Sequence, residues 1–322
     1  MSMSAANHKR NPGIPLDLGW VRATTVNLSA TQRRTQTLGS RRSVKKDWQA
    51  AWLLRAITMI DLTTLAGDDT PGKVTRMCAK ARQPLRQDII DDLDIGGIGL
   101  TVGAVCVYHQ RVQNALAALR GSSIPVAAVS TGFPAGLSPF AQRIEEIHQS
   151  VEAGAQEIDI VISREHVLRG NWRALYDEVC EMRRAGGDAH IKTILATGEL
   201  GTLWNVAKAS KVCMMAGADF IKTSTGKEPV NATLDVGLTM VREIRAYEAL
   251  TGYRIGFKPA GGIRSAKDAL SWLILIKEEL GDAWLNNRLF RFGASGLLTD
   301  IERQLSHHVT GRYAASHHMP MA

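Results

Sequence analysis

The chain is poor in cysteine, has no long apolar run, and lacks any linker rich in proline, glycine or serine. Each shortage removes a class of protein. Cys78, Cys106, Cys180 and Cys213 are scattered over 322 residues without Cys-x-x-Cys spacing, which argues against a zinc ribbon or a disulfide framework and for a reducing, cytoplasmic setting. No cluster of His, Cys and carboxylates has ligand spacing, so neither a metal nor another cofactor is expected. No apolar stretch reaches the roughly 20 residues of a membrane span, and the N-terminus lacks the apolar core of a secretory signal. A soluble protein without a membrane partner is expected. No Gly-x-Gly-x-x-Gly opens the first β-like unit, which argues against an open dinucleotide-binding sheet.

Acidic residues are scarce near the start. Lys9, Arg10, Arg22, Arg33, Arg34, Arg41, Arg42, Lys45 and Lys46 face only Asp17 there, and they carry much of the formal net charge of +8. A nucleic-acid arm would interleave aromatics, and a transit peptide would open on an Arg-rich amphipathic helix. Neither pattern is evident, so residues 1–43 read as a flexible, solvated extension, and no nucleic-acid partner is expected. The remaining positive balance suits an anionic substrate.

What is present is a regular alternation. With 45% hydrophobic and 22% charged residues the chain can bury a large core,. β-like runs fall at 56–62, 101–108, 124–130, 156–162, 190–196, 218–223, 254–259 and 288–293. Amphipathic stretches lie at 72–82, 110–120, 138–153, 172–184, 200–216, 231–250, 265–280 and 297–307, with one more at 44–55 that could cover the barrel bottom. Eight strands alternating with helices predict an α/β protein of the (β/α)8 barrel class, a single domain over 44–308 with a preceding helix, followed by a tail over 309–322.

Barrels of this kind place their chemistry at the C-terminal ends of the strands. Charged residues interrupt the apolar runs there: Asp61 in the first, Asp159 in the fourth, and Lys192, Lys222 and Lys258 in the fifth, sixth and seventh. A buried ammonium beside another loses its proton more readily, which makes a nucleophilic amine for imine chemistry. Lys222 reads as the nucleophile, Lys258 as the cation that lowers its pKa, and Asp159 as the acid/base group, with Lys192 balancing charge. Asp61 and Thr63 are candidates either to hold substrate hydroxyls or to tie the first strand end to its neighbours, and Cys106 is a candidate substrate contact whose first reading is a small core residue. Thr225, Gly226 and Lys227, then Gly261, Gly262 and Arg264, then Gly293 and Ser295 follow strands six, seven and eight, where phosphate sites are often built.

The segments MIDLTTL, AVCVY, TGFPAG, EIDIVI, IKTILATGEL, ADFIKTSTGK, VNAT, GFKPAGGIR and FGAS together resemble the deoxyribose-phosphate aldolases, in their longer eukaryotic form, from about Arg41 to Met321. That resemblance implies a metal-free class I aldolase in deoxyribonucleotide catabolism. Its reaction is the reversible cleavage of 2-deoxy-D-ribose 5-phosphate to D-glyceraldehyde 3-phosphate and acetaldehyde, with Lys222 as the Schiff-base lysine, Lys258 its perturbing neighbour and Asp159 the acid/base group. The expected partners are the phosphosugar and aldehydes, and assembly into a homo-oligomer is compatible with this reading. Two departures stand out: Gly296 occupies the place of a second hydroxyl residue after the serine of GAS, and the chain ends in Met319-Pro320-Met321-Ala322 rather than in the tyrosine that can close bacterial relatives. Another phosphosugar aldolase or a transaldolase would share a strand lysine and a phosphate site. A catalytically silent sugar-phosphate binder would have no need of two strand-end lysines.

Overall fold

Alternation along very short strands fixes the architecture. The computed structural model describes residues 10–319, and its strands are β1 (Ile60–Thr63), β2 (Ala104–Tyr108), β3 (Val126–Ser130), β4 (Glu157–Val161), β5 (His190–Ile194), β6 (Phe220–Lys222), β7 (Gly256–Lys258) and β8 (Phe292–Ala294). They pair in parallel in the order β7-β6-β5-β4-β3-β2-β1-β8. Parallel bridges from Phe257 to Phe290 and from Ala260 to Gly293 join β7 to β8 and close the barrel.

Successive side chains point to opposite faces of a strand. Ile60, Leu62, Val105, Val107, Ile158, Ile160, Ile191, Ile221 and Phe257 join the large apolar cluster beneath the helices. The residues between them face the lumen, which is divided. Cys106, Ala127, Val129, Val161 and Ile194 form a small apolar cluster with Phe133, while β1 and β4 to β7 bring charged groups to the other side. Gly256 has no side chain because the Phe220 ring fills its place: an added Cβ would lie 2.3 Å from that ring.

Four helices precede the first strand: α1 (Leu18–Arg22), α2 (Leu28–Gln36), α3 (Leu38–Arg41) and α4 (Lys46–Ile57). The outer layer continues with α5 (Pro71–Arg82), α6 (Gln87–Asp92), α7 (Val112–Ala118), α8 (Phe140–Glu152), α9 (Arg164–Leu168), α10 (Trp172–Ala185), α11 (Leu203–Met215), α12 (Leu234–Thr251), α13 (Ala266–Leu280) and α14 (Leu297–Thr310). The strands are shorter than the apolar runs that announced them. Ala56 and Ile57, expected in the first strand, end α4 instead, because a buried helix turn and a strand look alike in a short apolar run. Among the described residues no helix is long and apolar enough to cross a membrane.

The expected flexible extension is corrected from residue 10 onward; residues 1–9, Lys9 among them, lie outside the described residues, as do residues 320–322 of the expected tail. Asn11 is 2% exposed. Its Nδ2 donates to the carbonyls of Met214 at 2.7 Å and Ala218 at 2.9 Å, and its Oδ1 accepts from the Tyr247 hydroxyl at 3.0 Å. Arg10 pairs with Asp219 at 3.1 Å. This strap fastens the entry to β5 and β6, and α4 packs against α13 and α14. The surplus cations find counter-charges on the barrel, since Arg34 meets Glu278 at 2.8 Å and Arg42 meets it at 2.9 Å. At the other end Gly311 stops α14 in the left-handed conformation. Tyr313 then stacks on His307 with centroids 4.4 Å apart, beside the last turns of α14.

Replacing Asn11 with alanine strands the Ala218 carbonyl and the Tyr247 hydroxyl, while the Met214 carbonyl keeps the Gly217 amide. Each buried group left unsatisfied costs about 1 to 3 kcal/mol. The expected outcome in urea unfolding is a loss of at least about 2 kcal/mol with an unchanged m-value; a midpoint equal to wild type would contradict the fastening role.

Candidate active site

The ionic half of the lumen is built around one carboxylate. Asp159, fully buried at the middle of β4, accepts from Lys222 Nζ at 2.7 Å and from Lys258 Nζ at 2.8 Å on the same oxygen, Oδ2, and from Lys192 Nζ at 3.0 Å on Oδ1. Register explains the convergence. Asp159 is the Cα partner of Lys192 across β4 and β5, Lys222 is the partner of Lys258 across β6 and β7, and Lys192 stands two residues below Lys222 across β5 and β6, so amines from three consecutive strands converge on one carboxylate.

Two further members were missed from the sequence. Arg291, just before β8, forks between Asp61 Oδ1 at 2.5 Å and Glu157 Oε1 at 2.9 Å, and Glu157 also meets Lys192 at 2.5 Å. Glu157 could have been found, since it stands two residues before Asp159 on the same strand and must share its lumenal face. Arg291 precedes an irregular, three-residue strand, so its parity was not legible. With both included, four cations face three carboxylates, and one positive charge remains in excess.

The excess falls on Lys222. Burial is the largest influence on each amine and favours losing the proton. For Lys258, Asp159 and Asp61 outweigh it and raise the pKa far above the ordinary lysine value; Asp159 and Glu157 likewise hold Lys192 above it. For Lys222, burial and the Lys258 ammonium together overcome the pull of Asp159, and its pKa falls. Burial disfavours the carboxylates too, but Arg291, Lys258 and Lys192 drive Asp61 strongly down, and the three lysines drive Asp159 well below the usual range.

Lys222 is also the amine that meets the outside. It is 3% exposed, whereas Lys192 and Lys258 are fully buried. Its tip lines a cavity of about 730 Å3 at the C-terminal mouth of the barrel, whose walls include Thr63, Thr225, Gly226, Lys227, Gly261, Gly262, Arg264, Gly293 and Ser295. Thus most of the residues expected to meet substrate share one chamber. Asp61 and Cys106 do not. Asp61 lies beneath the chamber, 0% exposed and held by Arg291 and Lys258 at 2.5 Å. Cys106 sits in the small apolar cluster next to the amines, where burial pushes its thiol upward. Asp61 is therefore corrected from a wall of the chamber to a group beneath it, while Cys106, the Cα partner of the chamber residue Thr63, stands beside the chamber in the apolar cluster.

One side of the chamber is suited to an anion. Gly262 adopts φ +81°, and an added Cβ there would meet open space, so its glycine serves backbone conformation and not crowding. Helix α14 begins at Gly296 without any side-chain cap, which leaves its first amides available beside Ser295. Gly296, which lacks the hydroxyl noted in the sequence, thus still contributes a helix terminus. The loop after β6 differs from expectation. The amides of Thr225 and Gly226 are already taken by the Glu228 carboxylate, at 2.9 and 3.1 Å, so that loop offers the Lys227 side chain instead of free N–H groups. Among the described residues no group of His, Cys, Asp and Glu is arranged to hold a metal ion.

A (β/α)8 barrel in which a lysine of lowered pKa lines a chamber at the C-terminal mouth defines the general class of the protein, and comparison with known proteins specifies it. Residues 55–298 match the DeoC/LacD family aldolases. The chain is 60% identical to human deoxyribose-phosphate aldolase over 97% of this chain and 99% of that one, and 61% identical to the mouse enzyme over 96% and 98%. Among solved structures, the aldolase QR15 aligns with TM-score 0.61 at 27% identity, covering 79% of this chain and 97% of that one. The tetrameric deoxyribose phosphate aldolase of Aeropyrum pernix aligns with TM-score 0.58 at 21% identity over 87% and 99%, and shares the fold. The chain belongs to the DeoC/LacD family of aldolases.

Arg291→Met should leave Asp61 and Glu157 charged, buried and without their shared partner. Removing one member of such a network costs about 3 to 5 kcal/mol. Arg291→Lys should recover only part of that loss, since an ammonium cannot fork to two carboxylates. Chemical denaturation of the two variants beside wild type tests this, and equal stability of all three would refute the pairing.

Proposed function

We propose that the protein cleaves 2-deoxy-D-ribose 5-phosphate reversibly to D-glyceraldehyde 3-phosphate and acetaldehyde through a Schiff base on Lys222. The observation that carries this reading is the position of Lys222: the lowered-pKa amine of the network is the one that lines the chamber. The high identity to curated deoxyribose-phosphate aldolases supports the substrate. The four free cysteines fit a cytoplasmic setting,, and such a substrate places the enzyme in deoxyribonucleotide breakdown.

In the reaction, neutral Lys222 attacks the C1 aldehyde of the open-chain sugar, and loss of water gives a protonated imine. Asp159 is a weak base while three ammonium groups hold it. In the protonated imine the Lys222 nitrogen carries that third positive charge, and as the C2–C3 electron pair neutralises it the proton affinity of Asp159 rises at the step that needs it. The C3 hydroxyl passes its proton to Asp159 through water that the Lys258 ammonium helps to hold. The C2–C3 electron pair flows into the imine, glyceraldehyde 3-phosphate leaves, and an enamine of acetaldehyde remains. Protonation at C2 and hydrolysis release acetaldehyde and restore the amine. The apolar cluster of Cys106, Ala127, Val129 and Val161 beside the amines excludes water from one side of the intermediate. Gly261, Gly262, Arg264, Ser295 and the start of α14 hold the phosphate, with Lys227 opposite. Remote binding of the phosphate fixes the reacting carbons over Lys222.

Borohydride in the presence of acetaldehyde should place an ethyl group on Lys222 and abolish activity, as read by peptide mapping; an ethyl group on Lys192 or Lys258 would reassign the nucleophile. Prior treatment with a chelator should change neither labelling nor turnover, because every lumenal carboxylate is already engaged by cations.

Lys258→Leu should be nearly inactive while Lys222 remains. With the neighbouring ammonium gone and Asp159 kept, the Lys222 pKa rises, and less free amine is present at neutral pH. At an ordinary pKa of about 10.4, under roughly 0.1% of a lysine is neutral at pH 7. The expected result is a loss of up to about a thousandfold at pH 7, partly recovered at alkaline pH. A pH–rate profile that keeps its acid limb in place would contradict the coupling.

A further inference from the structure

The loop after β6 carries an anion of its own. Glu228 is 8% exposed, and its carboxylate accepts from the amide of Thr225 at 2.9 Å, from the amide of Gly226 at 3.1 Å and from the Thr225 hydroxyl at 2.8 Å. Converging N–H groups of this kind form a concave site for an oxyanion. Here a side chain of the same loop occupies it. The Lys227 amide donates to the Thr225 hydroxyl oxygen at 3.0 Å, which fixes the backbone that presents the Lys227 side chain to the chamber. The peptide carbonyl of Glu228 accepts from Asn231 Nδ2 at 2.8 Å. Asn231 in turn lies against Gly261, where an added Cβ would come within 2.6 Å of its amide. Glu228 therefore reaches both sides of the chamber mouth, the Lys227 side through its carboxylate and the Gly261–Gly262 side through Asn231.

We infer that Glu228 is a positioning residue for the phosphate of the substrate: its carboxylate fills the Thr225–Gly226 nest and so sets Lys227 opposite the Gly261–Gly262 loop. The inference rests on the phosphosugar reading given above. It makes the phosphate site one of the β7 and β8 loops and the α14 terminus, with Lys227 as a point charge across from them.

The test compares wild type with Glu228→Ala and Glu228→Gln. Three quantities are measured: kcat and KM for 2-deoxyribose 5-phosphate, competitive inhibition by inorganic phosphate, and borohydride trapping of acetaldehyde, which needs no phosphate. For Glu228→Ala, KM and the phosphate inhibition constant are expected to rise about tenfold or more, as for a displaced charged contact, with kcat and trapping nearly unchanged. Glu228→Gln keeps the shape and an acceptor oxygen, should show a smaller change in the same direction, and decides the matter if the alanine variant does not fold. Unchanged constants would overturn the inference. So would tighter inhibition by phosphate, which would mean that the vacated amides bind it, or an equal loss of trapping, which would place the role of Glu228 in supporting the strand end of Lys222. Failure of wild type itself to trap acetaldehyde on Lys222 would instead strike the catalytic reading.

Discussion

A single carboxylate shared by three ammonium groups governs this protein. Alone in a dry lumen, Asp159 or any of its partners would be too costly to keep charged. Together with Arg291, Asp61 and Glu157 they neutralise one another except for one positive charge, and the geometry decides where that charge is least tolerated. Lys258 and Lys192 each touch two or more carboxylates, whereas Lys222 touches Asp159 alone. The ion network is thus also the device that makes one amine reactive, and stability and chemistry draw on the same contacts.

Much of this was legible in the sequence because a barrel strand reports its faces by parity. Charged residues inside apolar runs could only face the lumen, and Asp159, Lys192, Lys222 and Lys258 meet there as read. Asp61 was placed on the correct face but the chamber opens above it, since parity gives direction and not depth, and Cys106 joins the apolar cluster as a small core residue. The strand limits were blurred where Ala56 and Ile57 continue an apolar run from helix into strand. Arg291 was hidden by the irregular entry to β8. The engagement of Thr225 and Gly226 by Glu228 was hidden because a glutamate after Thr-Gly-Lys looks like any exposed loop charge. The N-terminal segment was misread for a different reason: its basic residues are balanced by Glu278, Glu279 and Asp219, more than 200 positions away, and no local pattern records such pairing.

The divided lumen limits which changes the barrel can accept. Its apolar half, from Cys106 to Ile194, obeys ordinary packing rules, so exchanges that conserve volume should be absorbed there. Its ionic half does not. Gly293 illustrates the constraint, since a methyl group at that position would press within 3.2 Å of the Lys258 side chain and 2.7 Å of Ala260. Replacing the charged half by hydrophobic residues could well stabilise the fold, as with other buried ion networks, and would abolish the chemistry.

The strap at residues 10–11 has a consequence for synthesis. Its partners Met214, Ala218, Asp219 and Tyr247 lie 203 to 236 residues further along the chain. During translation the first segment emerges long before anything exists for it to bind, and at about 5 to 20 residues per second the wait is on the order of ten seconds or more. A segment made more than 200 residues before its partners is therefore among the last to be fastened, and it must stay soluble in the interval. An opening segment dense in arginine and lysine, and nearly free of acids, repels itself and resists collapse during that time. Arg10, Arg34, Arg41 and Arg42 acquire their counter-charges only when Asp219 and α13 are in place.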